Sequence, residues 1–323
     1  MTKNFLDRNL ALEAVRVTEA AALASSLFMG RGDEKAADQA AVNAMRDFLN
    51  NLSIEGKIVI GEGERDNAPM LYIGEKVGSG GPKIDIALDP LEGTTITAHG
   101  GENALSVMAM SGEGGFLHAP DIYMYKIAYG KNFNGLKIEP ESPVDDILKK
   151  MSKFSGINIE NIVVCILDRP RHRDLISLVR KTGARIKLIA DGDVSAVIAT
   201  TVDDSGVDLY IGAGGSPEGV LAAAALRCLG GTIYGKLLFD NDIDKKRATG
   251  MGITNFNKIY TTEDLASGEV MFAATGVTDG TLLKGIRIKN DAATTHSVVM
   301  RSKTETIRYV EAIHNISIKP IIS

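Results

Sequence analysis

The stretches NIVVCIL (161–167), RDLISLVRK (173–181), ARIKLIA (184–190), VSAVIAT (194–200), DLYI (208–211) and PEGVLAAAALRCL (217–229) alternate between two patterns. The first, third and fifth are short apolar runs, rich in β-branched residues, that fit buried strands. The second, fourth and sixth carry the helix-forming residues and apolar spacing of packed helices. A β-α-β-α-β-α order predicts a parallel or mixed sheet covered by helices.

Towards the N-terminus, residues 7–29 read as a helix ended by Gly30. A second helix spans 36–52, where Val42, Met45, Leu49 and Leu52 form an inward stripe. Asp38 lies one turn before Val42 on that stripe, and a lone buried carboxylate needs a partner. Strand signals follow at KIVI (57–60), KIDIAL (83–88) and 104–110, with later ones at 270–274, 297–300 and 306–313. Residues 130–160 are polar and weakly patterned. Residues 235–252, rich in Gly, Asp and Lys, read as a loop or an exposed helix.

The 323 residues are 44% apolar, enough for a sizeable core, and carry a net charge of −5 with no long run of Lys or Arg. That balance argues against a nucleic-acid partner. An acidic protein repels phosphate esters unless a cation reverses the local field. The two cysteines, Cys165 and Cys228, lack metal-ligand spacing and fit a reducing cytoplasm. No apolar stretch approaches the about 18 residues of a membrane span. The charged first segment does not read as a signal peptide.

The chemistry lies in four acidic clusters: Asp33 with Asp38, Glu62 with Glu64, Asp89 with Glu92, and Glu218. Clustered carboxylates without His or Cys suit hard cations such as Mg²⁺ or Mn²⁺. In DPLEGT (89–94), Pro90 is expected to turn the chain out of its strand, and Gly93 to let backbone approach a phosphate. Thr94 then offers a hydroxyl that attacks phosphorus or orients water; the plain alternative is a turn cap. GAGGSPEG (212–219) reads as a phosphate-type loop, with Ser216 as helix N-cap, Pro217 at the first helical position and Glu218 in the first turn. Arg169 and Arg171 suit phosphate, and the carboxylates of Asp191-Gly192-Asp193 suit sugar hydroxyls. These two segments serve equally well as helix caps or solvated loops.

Together the motifs RVTEAAALA (16–24), GRGD (30–33), VIGEGERDNAPMLYIGEKVG (59–78), DPLEGT (89–94), HAPDIYM (118–124), RPRH (169–172), DGD (191–193), GAGGSPEG (212–219) and FAATGVTDG (272–280) resemble the class II fructose-1,6-bisphosphatases of bacteria. The resemblance implies an α/β fold, a layered α-β-α-β-α sandwich of the sugar-phosphatase type with mixed sheets covered by helices. It implies cytoplasmic hydrolysis of the 1-phosphate of fructose 1,6-bisphosphate in gluconeogenesis, with Mn²⁺ or Mg²⁺, by a homo-oligomer. By motif match, Asp38, Glu62, Asp89 and Glu218 would be metal ligands, and Thr94 and Glu64 catalytic. Glu92, Gly93, Thr94, Tyr123, Arg169, Arg171, Asp191, Gly192, Asp193 and Gly215 would contact the sugar phosphate. Glu34 stands where the family often has lysine, with Lys35 beside it, and Arg169 replaces a frequent lysine. A boundary near 159 is expected, separating a metal-binding subdomain (1–159) from one that contributes substrate loops (160–323). The alternatives are another sugar or inositol phosphate phosphatase, including a sedoheptulose-1,7-bisphosphatase, and a non-catalytic sugar-phosphate sensor.

Overall fold

A computed structural model describes residues 10–63 and 70–318. In chain order the first part holds α1 (Leu10–Ser26), α2 (Glu34–Asn50), β1 (Glu55–Ile60), β2 (Lys76–Val77), β3 (Lys83–Glu92), α3 (Thr94–His99) and β4 (Leu105–Gly112). The middle holds β5 (Tyr123–Tyr129), α4 (Val144–Ser155), β6 (Val163–Leu167), α5 (Arg173–Thr182), β7 (Arg185–Ile189), α6 (Asp193–Ala199), β8 (Leu209–Gly215) and α7 (Ser216–Leu229). It continues with β9 (Thr232–Leu237), α8 (Asp242–Gly250), β10 (Ile259–Tyr260) and α9 (Thr262–Leu265). The last part holds β11 (Met271–Gly276), β12 (Arg287–Lys289), β13 (Ala292–Arg301) and β14 (Thr306–Asn315).

The chain divides at Leu117/His118 and again at Leu265/Ala266, not at residue 159. One unit joins the N-terminal part to the C-terminal strands; the other is the uninterrupted middle. The difference has a topological cause. Strands β11 and β13 return to pair beside β4, so one sheet is built from segments far apart in sequence.

The first unit is built on a sheet of order β14-β13-β11-β4-β3-β1-β2, with β12 also on β13; β1 and β3 are parallel and the remaining pairings antiparallel. Its core packs Val42, Met45 and Leu49 of α2 and Val15 and Val17 of α1 against Ile86, Leu88, Met108 and Ala273 of the sheet. Thr18 is buried in α1, and its hydroxyl lies 2.8 Å from that of Thr275 on β11. The helix expected over 7–29 is α1 where described, and the chain then turns to Gly30.

The second unit has a sheet of order β10-β9-β5-β8-β6-β7. Strands β6, β7 and β8 are parallel, as the alternating pattern predicts, while β5 is antiparallel to β8 and β9. The polar segment 130–160 contains α4, whose buried residues Val144, Ile147, Leu148 and Met151 repeat at helical spacing. Residues 235–252 hold the end of β9 and then α8, capped by the Asn241 side chain. Both sheets are mixed and covered by helices, so the chain is α/β. No helix among the described residues is long and apolar enough to cross a membrane.

Met45 has no exposed surface. Met45→Ala is therefore expected to lower stability by about 2–5 kcal/mol, read as a shifted midpoint in urea unfolding.

Candidate active site

In the first unit, parallel pairing sets the acids. Ile60 of β1 lies opposite Ala87 of β3. Two residues beyond each come Glu62, just past the end of β1, and Asp89, still within β3. The segment after β1 is pinned from behind: Glu62 N–H donates to the Leu71 carbonyl at 3.0 Å, and Ile73 N–H to that of Gly63 at 3.1 Å. Leu71 has a positive φ of 56° and donates its N–H to the buried Glu75 carboxylate. Glu75 in turn accepts from Arg46 Nε at 2.7 Å. Sequence reasoning missed Arg46 and Glu75. They lie 29 residues apart, and nothing in spacing joins them.

Pro90 does not turn the chain out of the strand. β3 continues to Glu92 through an irregularity in which Asp89 pairs with Val107 and Glu92 with Leu105. The extra residue re-aims the chain without ending the ladder, and the Asp89 side chain accepts from Leu91 N–H at 3.0 Å. Gly93 follows at φ 92°, a left-handed conformation favouring glycine, and precedes α3. Thr94, half-buried, is the first residue of α3. Glu92, the last residue of β3, is buried. Asp38 is half-buried on α2, and burial raises its pKa. Asp33 is a helix cap: its side chain accepts from Ala36 N–H at 3.0 Å. Glu64 lies outside the described residues.

In the second unit the remaining candidates gather at one edge of the sheet. Arg169 and Arg171 follow β6, Asp191, Gly192 and Asp193 follow β7, and Gly215 ends β8. Tyr123 begins β5 and pairs with Gly215. The Arg171 guanidinium lies 4.5 Å from the Tyr123 ring centroid, and its Nε and Nη2 both donate to the Ala213 carbonyl, at 2.9 and 2.8 Å. Asp193 is buried and paired with the ammonium of Lys126, a residue that sequence reasoning also missed.

Residues 212–215 form the end of a strand, not a loop, because they pair with 123–126. Their glycines make room for the unit's own side chains. A Cβ at Gly214 would collide with the Asp193 carboxylate, and one at Gly215 with the Glu218 carboxylate. Gly215, not Ser216, is the N-cap of α7; Ser216 turns inward and donates to the Pro120 carbonyl. Glu218 folds back over this terminus, and its Oε2 is buried with no hydrogen-bond partner. Burial, then the nearby Asp193 charge, push its pKa up to about 7, with Lys126 opposing. A buried, unpartnered carboxylate oxygen suits a cation. A cavity of about 430 Å³ is lined by Asp121, Ile122, Tyr123, Gly215, Glu218, Asp240 and Asp244. Asp121, Asp240 and Asp244 lie outside the sequence expectation, since isolated acids in polar segments read as solvated. Among the described residues, no three acidic, His or Cys side chains close around a single point where a cation would sit.

A family model described as bacterial fructose-1,6-bisphosphatase, glpX-encoded, matches residues 8–314. The chain belongs to that family. A protein of Synechococcus sp. (strain JA-2-3B'a(2-13)), named D-fructose 1,6-bisphosphatase class 2/sedoheptulose 1,7-bisphosphatase, is 43% identical over 96% of this chain and 96% of its own length. One of Microcystis aeruginosa (strain NIES-843 / IAM M-2473) with the same name is 42% identical over 96% and 97%.

In this member of the glpX-encoded family, His172 ties the arginine turn to β8. Its Nε2 lies 2.8 Å from Ala213 N–H and must accept, so Nδ1 carries the proton and donates to the Leu167 carbonyl at 2.7 Å. The ring is neutral, and burial, helped by Arg171 and Arg169, lowers its pKa. An unfolded histidine titrates near ~6.5. The unfolded chain therefore takes up the proton first as pH falls. The stability from this contact is complete above that pH and is lost as pH drops through the lowered native value. Melting temperature is expected to fall from pH 7 to about pH 5, with a shallower slope in His172→Gln, read by calorimetry across that range.

Proposed function

We propose that the chain hydrolyses the 1-phosphate of fructose 1,6-bisphosphate to fructose 6-phosphate and inorganic phosphate, using Mn²⁺ or Mg²⁺, as a cytoplasmic step of gluconeogenesis. The observation that carries this reading is the placing of Glu62 and Asp89 beyond the paired residues Ile60 and Ala87, with Thr94 close behind on the re-aimed chain. Family membership fixes the reaction class. The two cysteines, both buried, agree with a reducing compartment.

Asp38, Glu62, Asp89 and Glu218, the ligands that the family resemblance implies, each have a carboxylate oxygen to offer a cation. A divalent cation bound to such acids neutralises phosphate charge and polarises the attacking oxygen. Gly93 leaves the backbone beside Thr94 bare of a side chain. Thr94 presents its hydroxyl to phosphorus or to the attacking water, and Glu64 is the second catalytic candidate. Arg169 and Arg171 offer guanidinium N–H groups to the non-reacting phosphate. Asp191 and Asp193 with Gly192, Tyr123 and Gly215 contact the sugar, and Glu92 and Gly93 the reacting end.

A second reading, hydrolysis of sedoheptulose 1,7-bisphosphate by the same site, is favoured by the double name of both relatives. The two sugars share the reacting phosphoester and differ by one carbon, so one site can take both.

Phosphate release from both bisphosphates and from an inositol monophosphate, with Mn²⁺, with Mg²⁺ and with chelator, tests both readings. Metal-dependent release from fructose 1,6-bisphosphate is expected. Release only from another ester would overturn the substrate, and binding without release from any would favour a sensor. Thr94→Ala is expected to lower kcat by about 10²–10⁴-fold with Mn²⁺ affinity unchanged by calorimetry. Full turnover in that variant would remove Thr94 from the mechanism.

A further inference from the structure

Lys126 lies in the middle of β5, an interior strand flanked by β8 and β9, and is 1% exposed. An ammonium there has lost its water and needs both an opposite charge and acceptors. It has both. Nζ donates to the Asp193 carboxylate at the start of α6 and, at 2.9 Å, to the carbonyl of Gly215 at the end of β8. The fully buried Tyr210 donates its hydroxyl to the same Asp193 oxygen at 3.3 Å. The room for this arrangement comes from missing side chains. Lys126 pairs in register with Gly212 and Gly235, and a Cβ at Gly214 would lie 2.9 Å from Nζ. Lys126 itself is not among the cavity's lining residues, but Gly215 and Glu218 are.

We infer that Lys126 is a positioning residue for the sugar-phosphate site. One ammonium fastens the segment after β7 to the end of β8, two segments that the sheet alone does not join, since β6 lies between β7 and β8. The bond to the Gly215 carbonyl orients the peptide at the N-cap of α7, over which Glu218 folds. The bond to Asp193 holds the 191–193 turn at the same edge. The inference rests on the preceding reading in taking Gly215 and Asp193 as substrate contacts. It goes beyond it in giving the buried lysine, which touches no substrate, control of their geometry.

The test compares Lys126→Met, which keeps the stem and removes the charge, with Asp193→Asn, the double variant and Tyr210→Phe. Melting temperature, kcat, KM for fructose 1,6-bisphosphate and calorimetric affinity for inorganic phosphate are measured for each, well below the melting point. Lys126→Met is expected to raise KM and weaken phosphate binding by about 10–100-fold, the loss of a charged hydrogen-bond partner. In the Asp193→Asn background the same change should add little, because the lysine acts through that carboxylate. A purely structural lysine would lower the melting temperature and leave KM and phosphate affinity unmoved, and that result overturns the inference. Should Lys126→Met fail to fold, Tyr210→Phe, which strands no charge, is expected to shift KM in the same direction by a smaller factor; an unchanged KM there also overturns it. If the wild-type chain releases no phosphate from any ester, the preceding reading fails by itself. Phosphate affinity across the variants then decides this one.

Discussion

Burying a lysine in the centre of a sheet removes an ammonium from water at a cost that only close partners offset, and the second unit is arranged around meeting that requirement at Lys126. The Asp193 carboxylate must reach it from the turn after β7, and the Gly215 carbonyl from the end of β8. Neither approach tolerates a side chain at Gly214. Gly214 and Gly215, which within 212–219 suggest a phosphate cradle as a string of letters, thus answer first to an internal ion pair and to the returning Glu218 carboxylate. The same crowding leaves Glu218 dehydrated beside another acid, which holds its proton more tightly. The oxygen left without a hydrogen-bond partner is the kind of group that accepts a metal.

The first unit meets a different constraint. Carboxylates brought together repel each other, so a backbone that gathers them must hold them against that repulsion. Ile60 and Ala87 pair across β1 and β3, so Glu62 and Asp89 each stand two residues past a paired position, Glu62 beyond β1 and Asp89 still within β3. The irregularity between Asp89 and Glu92 then swings Gly93 and Thr94 out of the ladder without breaking it. Behind Glu62, the Arg46–Glu75 pair and the positive φ of Leu71 fix the returning chain. Their strain and burial are intelligible as support for the acid-bearing turn.

Much of this was legible from residue order. The strands β6, β7 and β8 and their helices follow from alternating apolar patterns, since local hydrophobic periodicity reflects local burial. The inward stripe of α2 with Asp38 on it was visible for the same reason. β5 was not: YMYKIAY (123–129) carries a lysine at its centre, and a charged residue in an apolar run argues against a buried strand until its partner 67 residues away is known. The helix α4 was hidden because its four buried residues are diluted by lysines on the exposed face.

The amino-acid sequence by itself determined the α/β class and the family, because these depend on local patterns and on motifs whose letters survive translation into any coordinates. Only the tertiary structure decided that the chain leaves its first unit at Leu117 and rejoins it at Ala266. It alone showed that Pro90 lies within a strand, that Gly215 rather than Ser216 caps α7, and that Lys126 and Asp193 are one ion pair. Each of those outcomes turns on which distant segment lies alongside. Strand pairing and the burial of charge are settled by free energies of contact between residues far apart in the chain, and no local pattern contains them.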